Sequence, residues 1–584
     1  MKSITKRNLI IHLTILFGVV LGNVACMNKS VLSRYQSLKI IALNDAAQET
    51  DHLNLLTNKW LEEKGFKNNA AQTKDLYTLT LMYDPTVEDE GYAFIPSKHG
   101  ATVKAACING LYAGVGHFLL NSLIKDDRLS PPNEPYASVP QKKVRGMYFA
   151  THFHNFYHVA PIEKVQRYVE ELALWGYNAL AVWFDMHHFT GMDDPDAVEM
   201  VSRLRSILET ARASGMKTGM IMLADEGFST TPDKLKGEWR KQNGYHAIPN
   251  VYGVEICPNV PGGMELIIKN REEMLRAFNG IGLDYIILWP YDQGGCTCSK
   301  CAPWGAKGYL KASQRVAETT RNYFPNVKAI LSTWWFDLLV EGELDAFKKS
   351  FKNENNYVSY ILSETSETWA KTGTLQVRNS ELCGLPVVGF PEISMAYHVP
   401  WGGYGANPMP QRIEKLWTIC EPEMQGGFPY SEGIFEDANK YILSRMYWYG
   451  SYDVNAALKE YAAAYFSKEH AEVIAESLSL METTLSRRYD GSNLSDIKIK
   501  INNPDSCDFI YDRIMKIDAA MSPEMRDSWR WRIIYLRAVI DKEISTHQVE
   551  TKTSREVYKE LIEIYYAHNA LLHWVRPPLA QKTE

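Results

Sequence analysis

Eight short apolar runs between residues 144 and 430, separated by stretches of helical periodicity, predict an α/β chain built on a (β/α)8 barrel of the TIM type. Two further observations frame that barrel. A mixed α+β segment precedes it, and a nearly unbroken three-and-four apolar spacing follows it, which predicts an all-helical C-terminal domain. The expected divisions are 1–26 for a leader, 38–140 for the α+β domain, 141–440 for the barrel and 441–584 for the helical domain. A chain of 584 residues is longer than one hydrophobic core covers, so several domains are expected.

The leader comes first. Lys2, Lys6 and Arg7 precede an apolar run from Leu9 to Leu21 that ends at small residues. This run is short for a bilayer span and has the layout of a secretory signal. Leu21-Gly22-Asn23-Val24-Ala25-Cys26 resembles a bacterial lipobox, with Asn23 where leucine is usual. The resemblance implies a lipidated Cys26 and a place in the periplasm or at the cell surface, anchored to the outer membrane. A soluble periplasmic product is the alternative that Asn23 leaves. No other stretch is apolar enough to cross a membrane.

In the α+β domain, residues 38–43 form a strand candidate, 51–64 a helix and 77–82 an alternating strand. Residues 91–95 and 101–105 read as a hairpin, 110–120 as a helix, and the proline-rich 131–135 as a linker. Barrel strands are expected at 144–151, 178–184, 217–223, 285–289, 328–333, 358–362, 386–390 and 425–430. Helices fall between them at 162–175, 196–214, 263–278, 309–323 and 411–419. A doubly wound sheet is the alternative, but no glycine-rich phosphate loop follows the first strand. The C-terminal helices are expected at 454–466, 469–485, 504–519, 523–546 and 554–570, packed on the barrel.

Charge is close to balance, with 63 Lys and Arg against 69 Asp and Glu, and no basic cluster lies outside the leader. That argues against nucleic acid as a partner. Aromatic residues reach 12 %, and such rings both fill cores and stack on the apolar faces of sugars.

Barrel enzymes hold their reactive groups where strands end, so the polar residues just after each strand are the informative set. Strands one to three offer His152 and His154, then Asp185, His187 and His188, then Asp225 and Glu226. Strands four to eight offer Asp292, then Trp334, Trp335 and Asp337, then Glu364, Glu392 and Glu432. The set is rich in acids and aromatics and contains no Ser or Cys nucleophile motif. Breaking a glycosidic bond needs one carboxyl to protonate the leaving oxygen and one carboxylate to activate water or attack carbon. Asp292 is the candidate general acid and Glu392 or Glu364 the candidate base or nucleophile, with Glu432 in reserve. His154, Asp185, Trp289 and Trp334 are the candidate sugar contacts. His187 and His188 beside Asp185 also suggest a metal, but adjacent side chains point apart on most backbones, which favours hydrogen bonding to hydroxyls.

The segment from Trp289 to Cys301 is the most distinctive. Its pair Gly294-Gly295 suits a close backbone approach to a ligand. Cys296, Cys298 and Cys301, with Cys257 upstream, supply either four thiolates to a structural zinc or disulfides in an oxidising compartment. No cofactor is expected for catalysis itself.

Gly91-Tyr92, Gly110-Leu111-Tyr112-Ala113-Gly114-Val115 and Arg145-Gly146 resemble the small N-terminal domain and barrel entry of family 67 α-glucuronidases and family 20 β-hexosaminidases. The order of small domain, barrel and helical tail is similar too. The segment from Asp292 to Cys301, and Pro429-Tyr430-Ser431-Glu432-Gly433-Ile434-Phe435-Glu436-Asp437, are similar to segments of exported glycan-degrading proteins of gut Bacteroidetes. The resemblance implies an exo-acting glycoside hydrolase, α-glucuronidase-like or β-N-acetylhexosaminidase-like, with a plant or host oligosaccharide or polysaccharide as its partner. Family 20 implies an Asp-Glu pair after strand four, where this chain has Asp292-Gln293. Family 67 implies inversion, with an acid after strand four and carboxylates late in the barrel, roles that fall to Asp292, Glu364 and Glu392. Two other readings stand beside it. One is a glycan-binding lipoprotein that kept the barrel and lost hydrolysis, which Gln293 favours; the other is a metal-dependent hydrolase that uses the histidines.

Overall fold

The computed structural model describes residues 34–43, 50–69, 75–152, 155–238, 254–291, 294–337, 341–351, 357–365, 384–394, 405–489, 497–547 and 551–566. The expected leader 1–26 with Cys26, and His154, Asp292 and Gln293, lie outside the described residues.

Period-two alternation builds the first domain. Strands β1 (Ser37–Leu43) and β2 (Leu76–Tyr83) pair in parallel, and β3 (Tyr92–Ser97) forms a hairpin with β4 (Gly100–Ala105), which also lies parallel to β2. A separate hairpin joins β5 (Leu123–Lys125) to β6 (Arg128–Ser130). After the proline-rich stretch, β7 (Tyr136–Ser138) pairs with β3 at the sheet edge.

The barrel strands follow: β8 (Val144–Phe149), β9 (Ala179–Trp183), β10 (Lys217–Leu223), β11 (Tyr285–Trp289), β12 (Lys328–Ser332), β13 (Val358–Thr365), β14 (Val387–Pro391) and β15 (Met424–Gly427). Each pairs in parallel with the next in chain order, and β15 returns to β8, so the sheet closes. Strands buried on both faces read as continuous apolar runs, which is why they stood out in the sequence. Alternate residues point inward: Val144 and Tyr148, Ala179 to Trp183, Ile221 and Leu223, Tyr285 to Trp289. The intervening residues pack outward beneath the helices.

The eighth strand departs from expectation. In place of one run over 425–430, it breaks into β15 and a short β16 (Tyr430–Ser431), each pairing with β8. Pro429 has no N–H to continue the ladder, although its carbonyl still accepts from Tyr148 N at 3.1 Å. Gly426 has φ +122°, and a Cβ there would lie 1.7 Å from the Val144 carbonyl oxygen, so the closing seam requires glycine.

The expected helices fall close to their ranges, and Glu343–Ser350 and Asp437–Tyr449 are helical as well, the latter across the expected boundary at 440; three further differences stand out. A π-turn, Gly305–Tyr309, precedes the helix Leu310–Tyr323. The expected 523–546 helix is two pieces, Pro523–Arg526 and Trp529–His547, because Ser528 recaps the chain by accepting from Trp531 N at 3.3 Å. The C-terminal region is also not all helical: β17 (Leu485–Tyr489) and β18 (Ile497–Ile501) form an antiparallel hairpin.

Buried ion pairs fasten the parts together. Arg530 in the tail donates to Asp437 at 2.7 Å and to Glu171, which ties the tail to the helices Asp437–Tyr449 and Ile162–Leu174. At the N-terminal end of the barrel, Arg145 donates to Glu90 (2.5 Å), Asn109 (3.0 Å) and the carbonyls of Gly176 (2.7 Å) and Lys142 (2.9 Å). Among the described residues, no helix is long and apolar enough to cross a membrane.

Candidate active site

Following the inward alternation to the end of each strand leads to the C-terminal mouth. There Trp183, Trp289 and Phe390 join Tyr148, Tyr430 and Trp334 in one connected aromatic floor. Ring centroids lie 6.3 Å apart for Trp183 and Trp289, 5.3 Å for Trp289 and Trp334, and 4.9 Å for Trp289 and Phe390. Phe390 to Tyr430 is 5.9 Å and Tyr148 to Tyr430 is 5.7 Å. His152 extends the floor, 4.8 Å from Trp183, with its Nδ1 2.8 Å from the Tyr148 hydroxyl. Burial pushes the His152 imidazole down to about 3, so the ring is neutral.

Three of the expected carboxylates stand on adjacent strands above this floor. Glu364, buried near the end of β13, is in register with Phe390 of β14. Glu392 follows β14 in a bridge with Tyr430, and its Oε1 accepts from Ser394 N at 2.5 Å. Glu432 follows β16, and its Oε1 accepts from the Tyr430 hydroxyl at 2.5 Å. Its Oε2 is buried without a hydrogen-bond partner among the described residues. Burial pushes the Glu432 carboxyl up; the Tyr430 bond opposes this, and the charges of Glu436 and Glu392 add to it, giving about 8.

The turn that carries Glu432 is firmly held. Glu436 accepts from Ser431 Oγ (2.5 Å) and from the backbone N–H groups of Glu432 (3.0 Å) and Gly433 (3.2 Å), with Lys440 at 3.4 Å. Ser394 Oγ bonds both the Tyr430 carbonyl (3.0 Å) and Glu432 N (3.1 Å), which links the Glu392 and Glu432 segments.

On the opposite side, Asp185 is ion-paired on both oxygens. The expectation that the adjacent histidines diverge is overturned, because the 3-10 turn Met186–His188 brings both rings onto one carboxylate. His187 Nδ1 lies 2.5 Å and His188 Nε2 3.0 Å from Asp185, and His187 also lies 3.3 Å from Glu226. Burial pushes Asp185 up, but its two histidine partners outweigh that and hold it well below the usual carboxylate range. Burial likewise pushes His187 down, and Asp185 and Glu226 outweigh it to about 10, so the ring is a cation. Asp225 next to Glu226 is fully buried, which pushes its carboxyl well up, and its oxygens have no partner among the described residues.

The segment after β11 uses its glycines for packing. Gly294 has φ +94°, and a Cβ on Gly295 would meet the Trp304 ring at 2.0 Å, so glycine at 295 makes room for Trp304. Trp304 Nε1 in turn donates to the Pro290 carbonyl at 2.9 Å. Within the same segment, the Tyr291 hydroxyl donates to the buried Glu343. The sulfurs of Cys257, Cys296, Cys298 and Cys301 gather within 4.8 Å of one another.

Tyr148, Trp183 and Phe390 were not singled out from the sequence, and Tyr430 and Glu436 were named only within the segment 429–437, without a role. Counting inward parity back from each strand end would have found the first four. Glu436 leaves no such trace, because its role is to hold backbone.

No known protein family and no curated protein matches the sequence. The fold does match: it is a (β/α)8 barrel with flanking domains of the kind found in solved glycoside hydrolases of families 20, 89, 115 and 138. A family 115 4-O-methyl-α-glucuronidase with specificity for decorated arabinogalactans is similar at a TM-score of 0.60 and 9 % identity, over 92 % of this chain and 77 % of that one. A family 89 glycoside hydrolase from Clostridium perfringens gives 0.56 and 11 %, over 89 % and 65 %. A family 20 exo-β-N-acetylglucosaminidase from Vibrio harveyi gives 0.51 and 14 %, over 76 % and 75 %.

Proposed function

We propose that the protein is a glycoside hydrolase that cleaves an α-glucuronide or β-N-acetylhexosaminide in a plant or host glycan with paired carboxyl groups at the barrel mouth. One observation carries this reading: the Glu432 carboxyl, which titrates at about 8, stands beside Glu392 over the aromatic floor. A carboxyl still protonated at neutral pH can protonate a leaving oxygen, while a neighbouring carboxylate activates water or attacks carbon. Glu432 takes the first role and Glu392 the second, with Glu364 on the next strand as the other base candidate. Asp292 remains the acid candidate at strand four. The fold neighbours support the class by analogy, and the leader with Cys26 supports export to the periplasm or cell surface.

The test is release of sugar from aryl α-glucuronides, aryl β-N-acetylhexosaminides and purified glycans by wild type, Glu432→Gln and Glu392→Gln. Both variants are expected to lose at least about a hundredfold in kcat/KM. Wild type should also lose activity above about pH 8 as Glu432 ionises, a limb absent from Glu432→Gln. Full activity in Glu432→Gln with loss in Asp292→Asn would move the acid to strand four. No release, with oligosaccharide still bound, would leave the non-catalytic binding protein. For export, an acylated Cys26 in the mass of the mature protein is the expected result.

A further inference from the structure

The geometry points to a tetrathiolate zinc site formed by Cys257, Cys296, Cys298 and Cys301, which clasps the loop after β10 to the loop after β11 at the rim of the barrel mouth. Cys257 lies just ahead of the helix Gly263–Ala277, and the other three lie in the segment after β11. Cys257 Sγ is 3.8 Å from Cys298 Sγ and 3.5 Å from Cys301 Sγ.

Those separations decide between the two chemistries that the cysteine spacing leaves open. A disulfide holds its sulfurs at about 2.05 Å. Four sulfurs at about 2.3 Å from a tetrahedral zinc stand about 3.8 Å from one another. One sulfur that is 3.5–3.8 Å from two others at once, with a fourth in the same cluster, fits the tetrahedron and not a pair of covalent bridges.

The surroundings are those of thiolate ligands. Cys257, Cys296 and Cys301 are buried and Cys298 is half-buried. Donors point at the sulfurs: Glu238 N lies 3.3 Å from Cys296 Sγ, and Asn259 Nδ2 lies 3.2 Å from Cys301 Sγ. Such N–H···S bonds orient thiolates and offset their charge. The turn after Cys298 is closed by Cys301 N and Ala302 N, both 2.9 Å from the Cys298 carbonyl, which brings Cys298 and Cys301 round to one side. The chain on the other side of the clasp is sewn in as well: Thr297 N and Oγ1 both donate to the Glu238 carbonyl at 2.8 Å.

Binding exchanges four thiol protons for one zinc ion, so no oxidant or reductant is involved. With all four positions taken by sulfur, no site is open for water or substrate, and the metal is structural. It cross-links the segment that leads from Asp225 and Glu226 to the segment that follows Trp289 and Tyr291. These border the aromatic floor, so the clasp holds two walls of the mouth together.

The test starts from the unaltered protein. Metal analysis is expected to give one zinc per chain, and titration with a mercurial in the presence of a chromogenic chelator should release that zinc as four thiols react. Replacing zinc with cobalt(II) should give the intense visible bands of a tetrahedral thiolate complex. Cys298→Ser with Cys301→Ser should lose the metal, while Cys420→Ser, remote from the cluster, should keep it. Absence of zinc together with a denatured mass four hydrogens short of the fully reduced chain would mean two disulfides and would overturn the proposal. Zinc retained in the double variant would overturn it equally. Because the metal and thiol counts are made on wild type, the outcome does not depend on the variants folding.

Discussion

The two ends of the barrel treat buried polar groups in opposite ways. At the N-terminal end, Arg145 is buried with four acceptors around its guanidinium, and Asn178 completes the network by donating to Glu90 at 2.7 Å and to the Lys143 carbonyl at 2.9 Å. At the C-terminal mouth, Glu432 and Asp225 are buried with carboxyl oxygens that have no partner among the described residues, and both titrate far above ordinary carboxylates. An unsatisfied buried polar group costs about 1–3 kcal/mol. The lower end therefore contributes stability by satisfying its charge, whereas at Glu432 and Asp225 the mouth gives stability up and holds those two carboxyls protonated, beside an Asp185 that its histidines keep ionised.

The largest effect expected from this contrast is at the lower end. Arg145→Ala removes the cation that joins the first domain to the barrel and leaves Glu90 and Asn109 without it. The loss should be about 3–5 kcal/mol, as for other buried pairs broken on one side, with Lys217, 3.3 Å from Glu90, holding it toward the lower figure. Urea unfolding measures that loss, and kcat measured well below the transition should stay at the wild-type value. A large fall in kcat without a fall in stability would break the division between the two ends.

The mouth should respond with the opposite sign. Folded, Glu432 titrates at about 8, whereas an unfolded glutamate titrates near about 4.3. The folded state therefore loses stability as pH rises from about 4.3 to about 8, because ionisation is disfavoured only in the fold. Glu432→Gln removes that loss. It should raise stability by about 2–4 kcal/mol at pH 8 and by little at pH 5, while it destroys activity. Thermal melts of both proteins across that range check it, and equal melting temperatures at pH 8 would mean that Glu432 carries no such strain.

How much of this could be read from the sequence follows the same line. Strands such as β10 and β11 were placed to the residue, because a parallel strand buried on both faces needs a continuous apolar run. Glu364, Glu392 and Glu432 were singled out because they end such runs, and they fall at the C-terminal ends of β13, β14 and β16. What escaped depends on contacts between distant segments. Nothing in Glu436 predicts that it holds the backbone of Glu432, and nothing in Asp185 predicts that one short turn folds two histidines onto it. The broken eighth strand had a visible cue in Pro429. The hairpin of β17 and β18 had one too, in the alternation Ile497-Lys498-Ile499-Lys500-Ile501, a period-two pattern within a region dominated by helical spacing.

The smallest expected effect tests whether the aromatic floor belongs to the mouth or to the core. Trp334 is only partly buried, unlike Trp183, Trp289 and Phe390, and its indole Nε1 has no partner among the described residues. It also packs on Trp335, whose ring centroid is 5.2 Å away and whose φ of +56° marks a strained turn after β12. Trp334 is a candidate sugar contact of the floor, and its ring packs on Trp335, Trp289 and Phe390. Aromatic pairs are worth about 0.5–1.5 kcal/mol beyond the area they bury, and a sugar ring stacked on Trp334 is assigned the same order. Trp334→Ala is therefore expected to raise KM roughly tenfold while changing kcat much less, the pattern of lost uniform binding. A variant with unchanged KM and a lowered melting temperature would instead make Trp334 part of the packing that the barrel interior shares, and would move the sugar-binding surface up into the loops above it.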